Sequence, residues 1–183
     1  MRGRQSRTRA AIAAIWVLGM SAIAEAQSPP AAAEAQSQTI VLSGDSWKQG
    51  GTVYRLYGVQ SCLRGSFYLD RTGEQKECGA VSAAILAALL RDTRPQCRSI
   101  AQIRTTSPSP MVLVACSVSI ASEELDLGSM MISQGFAFSA LTDARHPVYA
   151  PYLAQEILAR DARKGLWAFQ GFQRPDFRQL ELK

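Results

Sequence analysis

Four cysteines, Cys62, Cys78, Cys97 and Cys116, limit the folds open to this chain more than any other feature. In an exported chain an even count favours two disulfides. Four cysteines allow three pairings, and spacing alone selects none of them. A structural zinc site would need CxxC pairs or histidines, and His146 is the single histidine. Two cross-links are therefore expected, each tying together segments that the sequence keeps apart.

The export signal stands at the beginning of the sequence. Arg2, Arg4, Arg7 and Arg9 precede an apolar run from Ala10 to Met20, and Ala24-Glu25-Ala26 is a small-x-small cleavage signature. That pattern predicts a secretory signal peptide over 1–26, cut near Ala26, and a periplasmic or secreted mature protein. The apolar run is shorter than the roughly 20 residues of a membrane-spanning helix, and no later stretch is long and apolar enough to span. The formal net charge is +5, but the leader holds four arginines and one glutamate, so the remainder is near +2. A charge of that size is no argument for nucleic acid. Residues 27–38, rich in Ala, Pro, Ser and Gln, read as a disordered tether. Residues 39–170 suffice for one domain with its own core, and 171–183 read as a tail.

Within the domain, a strand is expected over Thr39 to Leu42. Ser43-Gly44-Asp45 punctuates it, and Gly50-Gly51 marks a hairpin before a second strand, Thr52 to Tyr57. Leu63 to Glu77 is polar and reads as a loop. Gly79 to Arg91 reads as an Ala-rich helix, with Val81, Ile85 and Leu89 at four-residue spacing. Two strands follow, Cys97 to Ile103 and Met111 to Val118, joined by an uncharged Ser/Pro link over 105–110. If these strands pair, Cys97 and Cys116 can lie side by side and bond, closing a loop worth roughly 3 kcal/mol. Cys62 with Cys78 would then tie the long loop to the first helix.

Ser122 suits an N-cap, with Glu123 and Glu124 in the first turn of a helix running to Gln134 and stopped by Gly135. A last helix is expected over Pro151 to Lys164. Ala154, Ile157, Leu158 and Ala162 form its apolar stripe, and Glu156–Arg160 is an i,i+4 pair on another face. The order of elements predicts an α+β fold, with a five-stranded OB-fold β-barrel and about three α-helices as the candidate architecture.

Three segments together resemble the staphylococcal thermonuclease-like family. The first is Gly44-Asp45-Ser46 followed by Arg55-Leu56-Tyr57-Gly58-Val59. The second is Asp126-Leu127 leading to Gln134-Gly135-Phe136-Ala137. The third, and the most specific, is the pattern of Tyr152, Glu156, Ala159, Arg160, Arg163, Gly165, Leu166 and Trp167. The resemblance covers about Thr39 to Trp167 and implies an OB barrel with three helices. The four cysteines are also spaced like those of exported, two-disulfide members.

Enzymes of this family cleave phosphodiesters with Ca2+. Two carboxylates hold the cation, a glutamate serves as general base, and two arginines neutralise charge on the phosphoryl oxygens. The resemblance places Asp45 at the first metal carboxylate and Arg55 at the first phosphate arginine. It also places Gln60 at the second metal acid, Leu63 at the general base and Met111 at the second arginine. Three of those five positions carry the wrong chemistry. A lost base typically costs 10²- to 10⁴-fold, and a lost transition-state donor 10²- to 10³-fold. Asp70, Glu74 and Glu77 in the adjoining loop could supply an acid, but nothing in their spacing recommends them.

The resemblance therefore implies a thermonuclease-like protein that lacks its catalytic set and needs no cofactor, acting in binding or as an accessory. Some similar exported proteins are associated with exopolysaccharide production, succinoglycan in particular. The alternative is a weak or altered Ca2+-dependent nuclease acting on DNA or RNA through Asp45 and Arg55. Polysaccharide, nucleic acid and protein are all open as partners.

Several of these residues also have ordinary readings. A Gly-Asp-Ser turn favours Asp for its backbone hydrogen bonds. Arg55 can bind an anion or pair with a carboxylate. Trp47, Tyr54, Tyr57, Phe67 and Tyr68 can form a stacking platform, or simply pack within hairpins. Trp167 is expected to pack the last helix onto the barrel. His146, Arg160, Arg163 and Lys164 read as solvated.

Overall fold

The computed structural model describes residues 38–104 and 108–174. The expected leader, the tether before Gln38, residues 105–107 of the Ser/Pro link and the tail beyond Arg174 lie outside the described residues.

A meander opens the domain: β1 (Ile40–Ser43), β2 (Ser46–Gln49) and β3 (Thr52–Leu56) pair antiparallel in turn. Gly50 and Gly51 make the β2–β3 turn at φ 57° and 83°, a backbone that favours glycine. The short β4 (Val59–Ser61) follows, then β5 (Phe67–Leu69) and β6 (Gln75–Glu77), then α1 (Cys78–Thr93). The chain returns through β7 (Gln96–Ile103) and β8 (Met111–Ile120), an antiparallel pair. β8 also runs parallel to β3, with Val53 opposite Met111 and Leu56 opposite Val114. β9 (Glu123–Asp126), α2 (Leu127–Ser133), β10 (Ala137–Ser139), α3 (Ala150–Asp161) and a 3-10 turn (Gly165–Ala168) complete the chain.

The large sheet follows the path β1-β2-β3-β8-β7, with β9 beside β8. β4 pairs with β10 and β5 with β6 in two small sheets. Among the described residues no pairing joins β1 to β7, so the sheet does not close on itself. The architecture is mixed α+β with three α-helices, as the sequence predicts at that level.

Two apolar cores share the interior. Trp47, Leu56, Val114, Val118 and Cys116 of the large sheet meet Leu86 of α1 and Leu127, Met131 and Ile132 of α2 in the main core. Cys62, Cys78, Tyr68, Phe138 and Leu166 form a second, with Trp167, Phe169 and Phe172 packed against it. The Cys62–Cys78 and Cys97–Cys116 disulfides both form. Cys97 and Cys116 are directly opposed in the β7–β8 register, the side-by-side placement the strand reading requires.

Five expectations change. Leu63 to Glu77 is not wholly loop, because it holds the β5–β6 hairpin. Glu123 and Glu124 do not open a helix but lie in β9, opposite Ile120 and Ser119. The cap belongs to Asp126, whose carboxylate accepts from the Ser129 N–H at 2.6 Å. α3 turns the other way: Tyr152, Glu156 and Ala159 are buried, while Ala154, Ile157 and Leu158 are exposed. Glu156 pairs with Arg174, and Arg160 with its neighbour Asp161, so the expected i,i+4 pair is absent from the ion pairs of the described residues. The packed domain also runs past 170, since Phe172 and Arg174 both join it.

Candidate functional site

Asp45 sits in the tight turn between β1 and β2, and its backbone carbonyl accepts from the Leu56 N–H at 2.9 Å. This bond brings the turn under the end of β3. Gly44, beside it, has no room for a side chain, because an added Cβ would meet Ser82 of α1. Close approach to the helix thus fixes where the Asp45 carboxylate points.

Asp45 is 3% exposed, and its carboxylate is well satisfied. Oδ1 accepts from the hydroxyls of Ser43 at 2.5 Å and Ser61 at 3.2 Å. Oδ2 accepts from the Ser61 N–H at 3.4 Å and lies 3.0 Å from Nη2 of Arg55. The Arg55 Nη2 also donates to Oε1 of Gln60 at 3.3 Å. Gln60 in turn donates through Nε2 to the Ser61 carbonyl at 3.0 Å. Asp45, Arg55 and Gln60 therefore form one connected cluster, with Ser43 and Ser61 closing it.

Of the sequence-predicted positions, the structure brings three together. Leu63 is half-buried just beyond the cluster; its carbonyl accepts from the Ser66 N–H, and its backbone lies against Gly79. Met111 opposes Val53, two positions along the parallel ladder from the Arg55–Leu113 pair, so it shares the sheet face that carries Arg55. Ser43 and Ser61 escaped the sequence reading of the site. Only their nearness to Asp45 and Gln60 in sequence could have pointed to them, since a serine hydroxyl carries no pattern of its own.

The cluster does not fit Ca2+. A calcium ion takes six to eight oxygen ligands, with several carboxylates among them. Here one carboxylate has both oxygens engaged and a guanidinium against it, and the neighbouring oxygen of Gln60 is itself taken by Arg55. Among the described residues no three of His, Cys, Asp and Glu gather where they could hold a metal ion. Asp70, Glu74 and Glu77 serve their own hairpin. Asp70 accepts from Thr72 and Glu74, and the Thr72 hydroxyl bond holds its carboxyl below the usual range. Glu77 accepts from the Gly65 N–H, and Glu74 pairs with Lys76.

The aromatic residues divide. Trp47 is buried and stacked on Tyr54 at 5.7 Å between ring centres, so these two are packing groups. Tyr68 is buried in the second core against Phe169, while Phe67 on the same hairpin is exposed. They form no continuous platform. A groove of about 530 Å³ lies between β7, β8 and β9 with Arg98 and Glu124 on its walls, and neither Asp45 nor Arg55 lines it.

The residues of the third motif turn out to hold α3 in place. Tyr152 donates from its hydroxyl to the Asp126 carboxylate at 2.6 Å, and Gly128 leaves room for that ring. Burial, with Asp126 adding to it, pushes the Tyr152 hydroxyl well above the ordinary tyrosine range. Glu156 accepts from the Ser139 N–H at 2.7 Å and from Nε of Arg174 at 2.5 Å. Gly165, at φ 54°, meets Gly135, at φ 78°, where a Cβ on either would strike the other segment's backbone. Leu166 is fully buried, and Trp167 stands edge-on to Phe138 at 5.4 Å. Trp167 thus packs on the second core and not on the large sheet.

Fold and site together define a mixed α+β domain, cross-linked by two disulfides, in which a buried Asp45 pairs with a partly exposed Arg55 at one end of the sheet. No protein-family model matches the chain, and no curated protein matches it by sequence.

Proposed function

We propose that this chain is an exported, non-catalytic binding protein on a thermonuclease-like OB scaffold, which presents Arg55 to an acidic polymer. An acidic exopolysaccharide of the succinoglycan type is the first polymer to test. The observation that carries this reading is the state of Asp45: buried, ion-paired to Arg55 and capped by two serines. A carboxylate used in this way orients an arginine.

Arg55 is 35% exposed at its side chain, and its two described bonds both use Nη2. A guanidinium offers five N–H donors in a fixed fork, so most remain for an anion. Support for the OB scaffold comes from the strand path β1-β2-β3-β8-β7 with its single parallel step, the order in which an OB barrel lays its five strands. Two disulfides fit an oxidising compartment. No helix among the described residues is long and apolar enough to cross a membrane.

The test is a titration of the protein with an acidic exopolysaccharide, a neutral one, single-stranded DNA and RNA. Binding to the acidic polysaccharide should weaken about tenfold or more in Arg55→Ala, the worth of one charge-assisted hydrogen bond. Cleavage of DNA or RNA that needs Ca2+, stops with chelator and disappears in Asp45→Ala and Arg55→Ala would overturn the reading in favour of a nuclease. Equal binding to neutral and acidic polymers would overturn it too.

A further inference from the structure

The two disulfides stand in opposite surroundings. Cys62 and Cys78 are 2% and 1% exposed, enclosed by the aromatic residues of the second core. Cys116 is also buried, in the main core that holds Trp47, but its partner Cys97 is exposed. Cys97 lies on β7, where the strand path ends and every residue is exposed. The bond joins two residues already paired across adjacent strands. Opening it therefore leaves the β7–β8 ladder in place.

A groove of about 310 Å³ leads to this edge, with Trp47, Gln49, Leu90, Arg94 and Cys97 in its wall. Among the described residues Arg94 is the charged group there, and no acid lines the groove. Its place is set by the backbone: at φ 47° it ends α1, and its N–H donates to the Leu90 carbonyl. Through this groove the approach to Cys97 is open, partly apolar and cationic; the groove between β7, β8 and β9, which Cys97 and Cys116 also line, carries Glu124 and Asp126 beside Arg98.

We propose that Cys97–Cys116 is a thiol–disulfide exchange site that takes small anionic thiols through this groove. This inference uses neither Asp45 nor Arg55 and stands apart from the reading of that cluster. The external thiolate attacks the sulfur of Cys97, the exposed partner of the pair, and forms a mixed disulfide there. The electron pair of the broken S–S bond leaves on Cys116 sulfur, which takes a proton because a thiolate is disfavoured in apolar surroundings. A second molecule of the thiol attacks the sulfur of the first, yielding the external disulfide and Cys97 thiol. Two electrons pass from two external thiols to the protein disulfide. Without the second thiol, Cys116 attacks Cys97 and expels the first, restoring the original bond.

Arg94 attracts the thiolate and any carboxylate carried with it, as charge in a cleft raises the local concentration of an oppositely charged reagent. Trp47, in the groove wall and in the same core as Cys116, serves as an optical reporter.

The experiment treats the native protein at low salt with 3-mercaptopropionate, 2-mercaptoethanol or cysteamine, each at matched thiolate concentration. Timed alkylation and peptide mass spectrometry then follow each disulfide, with Trp47 fluorescence in parallel. Cys97 and Cys116 should be alkylated at least about tenfold faster than Cys62 and Cys78, since access governs the rate. The anionic thiol should lead the cationic one by about tenfold. Arg94→Asn, which suits the left-handed backbone, should erase that preference, and Arg94→Lys should keep it. In Cys116→Ala the freed Cys97 thiolate should attack 3,3′-dithiodipropionate, the disulfide of the anionic probe, release one 3-mercaptopropionate and keep the other half as a stable mixed disulfide. Equal opening of the two disulfides, or a rate blind to the charge of the thiol and to Arg94, would overturn the proposal.

Discussion

Asp45 is enclosed while its partner Arg55 reaches solvent, so the two ends of one ion pair meet different surroundings. Losing the arginine leaves a buried carboxylate with only serine partners. Arg55→Ala should lower stability by about 1–3 kcal/mol, since exposure of the guanidinium screens part of the pair. Arg55→Lys should lie between, because a point charge cannot serve Asp45 and Gln60 with one fork. Urea unfolding of the three proteins measures both; an unchanged midpoint in Arg55→Ala would show that the pair contributes nothing. At Tyr152 the expected effect depends on pH. Its hydroxyl is held above the ordinary value in the fold, so the folded chain keeps the proton after the unfolded chain has released it. The resulting stability is whole below about pH 10 and is lost as pH rises beyond it, at up to about 1.4 kcal/mol per pH unit. Tyr152→Phe should be flatter than the wild type between pH 9 and 11 in thermal unfolding. Parallel curves would remove Tyr152 as the source.

At the scale of single elements, α3 shows how far the sequence could be read. Its start was legible, because Pro in the first turn is a local backbone signal. Its end was not: the helix stops at Asp161 with Ala162 as cap, three residues short of the expected Lys164, and Gly165 opens the 3-10 turn that follows. Nor was its orientation. Ala154, Ile157 and Leu158 make the more apolar stripe, yet the buried side carries Tyr152, Glu156 and Ala159. A polar side chain can be buried when a partner waits for it, and Asp126 and Arg174 are remote in sequence. Leu158 is 69% exposed, so Leu158→Lys should cost under about 0.5 kcal/mol. Ala159→Leu should cost about 1–3 kcal/mol by overpacking. The reverse ranking in chemical denaturation would mean that α3 packs by its apolar stripe after all. β9 teaches the same lesson: Ser122 with two glutamates is a sound helix start by local rules, but the second half of β8 needed a ladder partner. That Asp45, Arg55 and Gln60 belong together was legible only through the family resemblance, which set them at related positions. The site's use of Ser43 and Ser61 was not legible, because hydroxyl partners follow from the fold.

Across the whole molecule, the second core depends on residues past the last helix. Phe169 and Phe172 close over Tyr68 and Phe138, and Arg174 then reaches Glu156 and the Ser139 carbonyl. Arg174→Ala leaves a buried carboxylate short of its cation and should cost about 2–4 kcal/mol. In a Glu156→Gln background the same substitution should cost much less, because the amide oxygen still accepts from Ser139 and no charge is stranded. A double-mutant cycle reads the difference, and equal costs in both backgrounds would remove the pair from the account. The clasp also sets an order of events in the life of the chain. Synthesis supplies residues from the amino end, so β4 waits for β10, the buried disulfide waits for its aromatic cover, and Glu156 waits for Arg174. The domain cannot finish folding piece by piece as it emerges. It should stay open, and pliable enough to be threaded through a narrow passage, until almost the last of its packed residues has arrived.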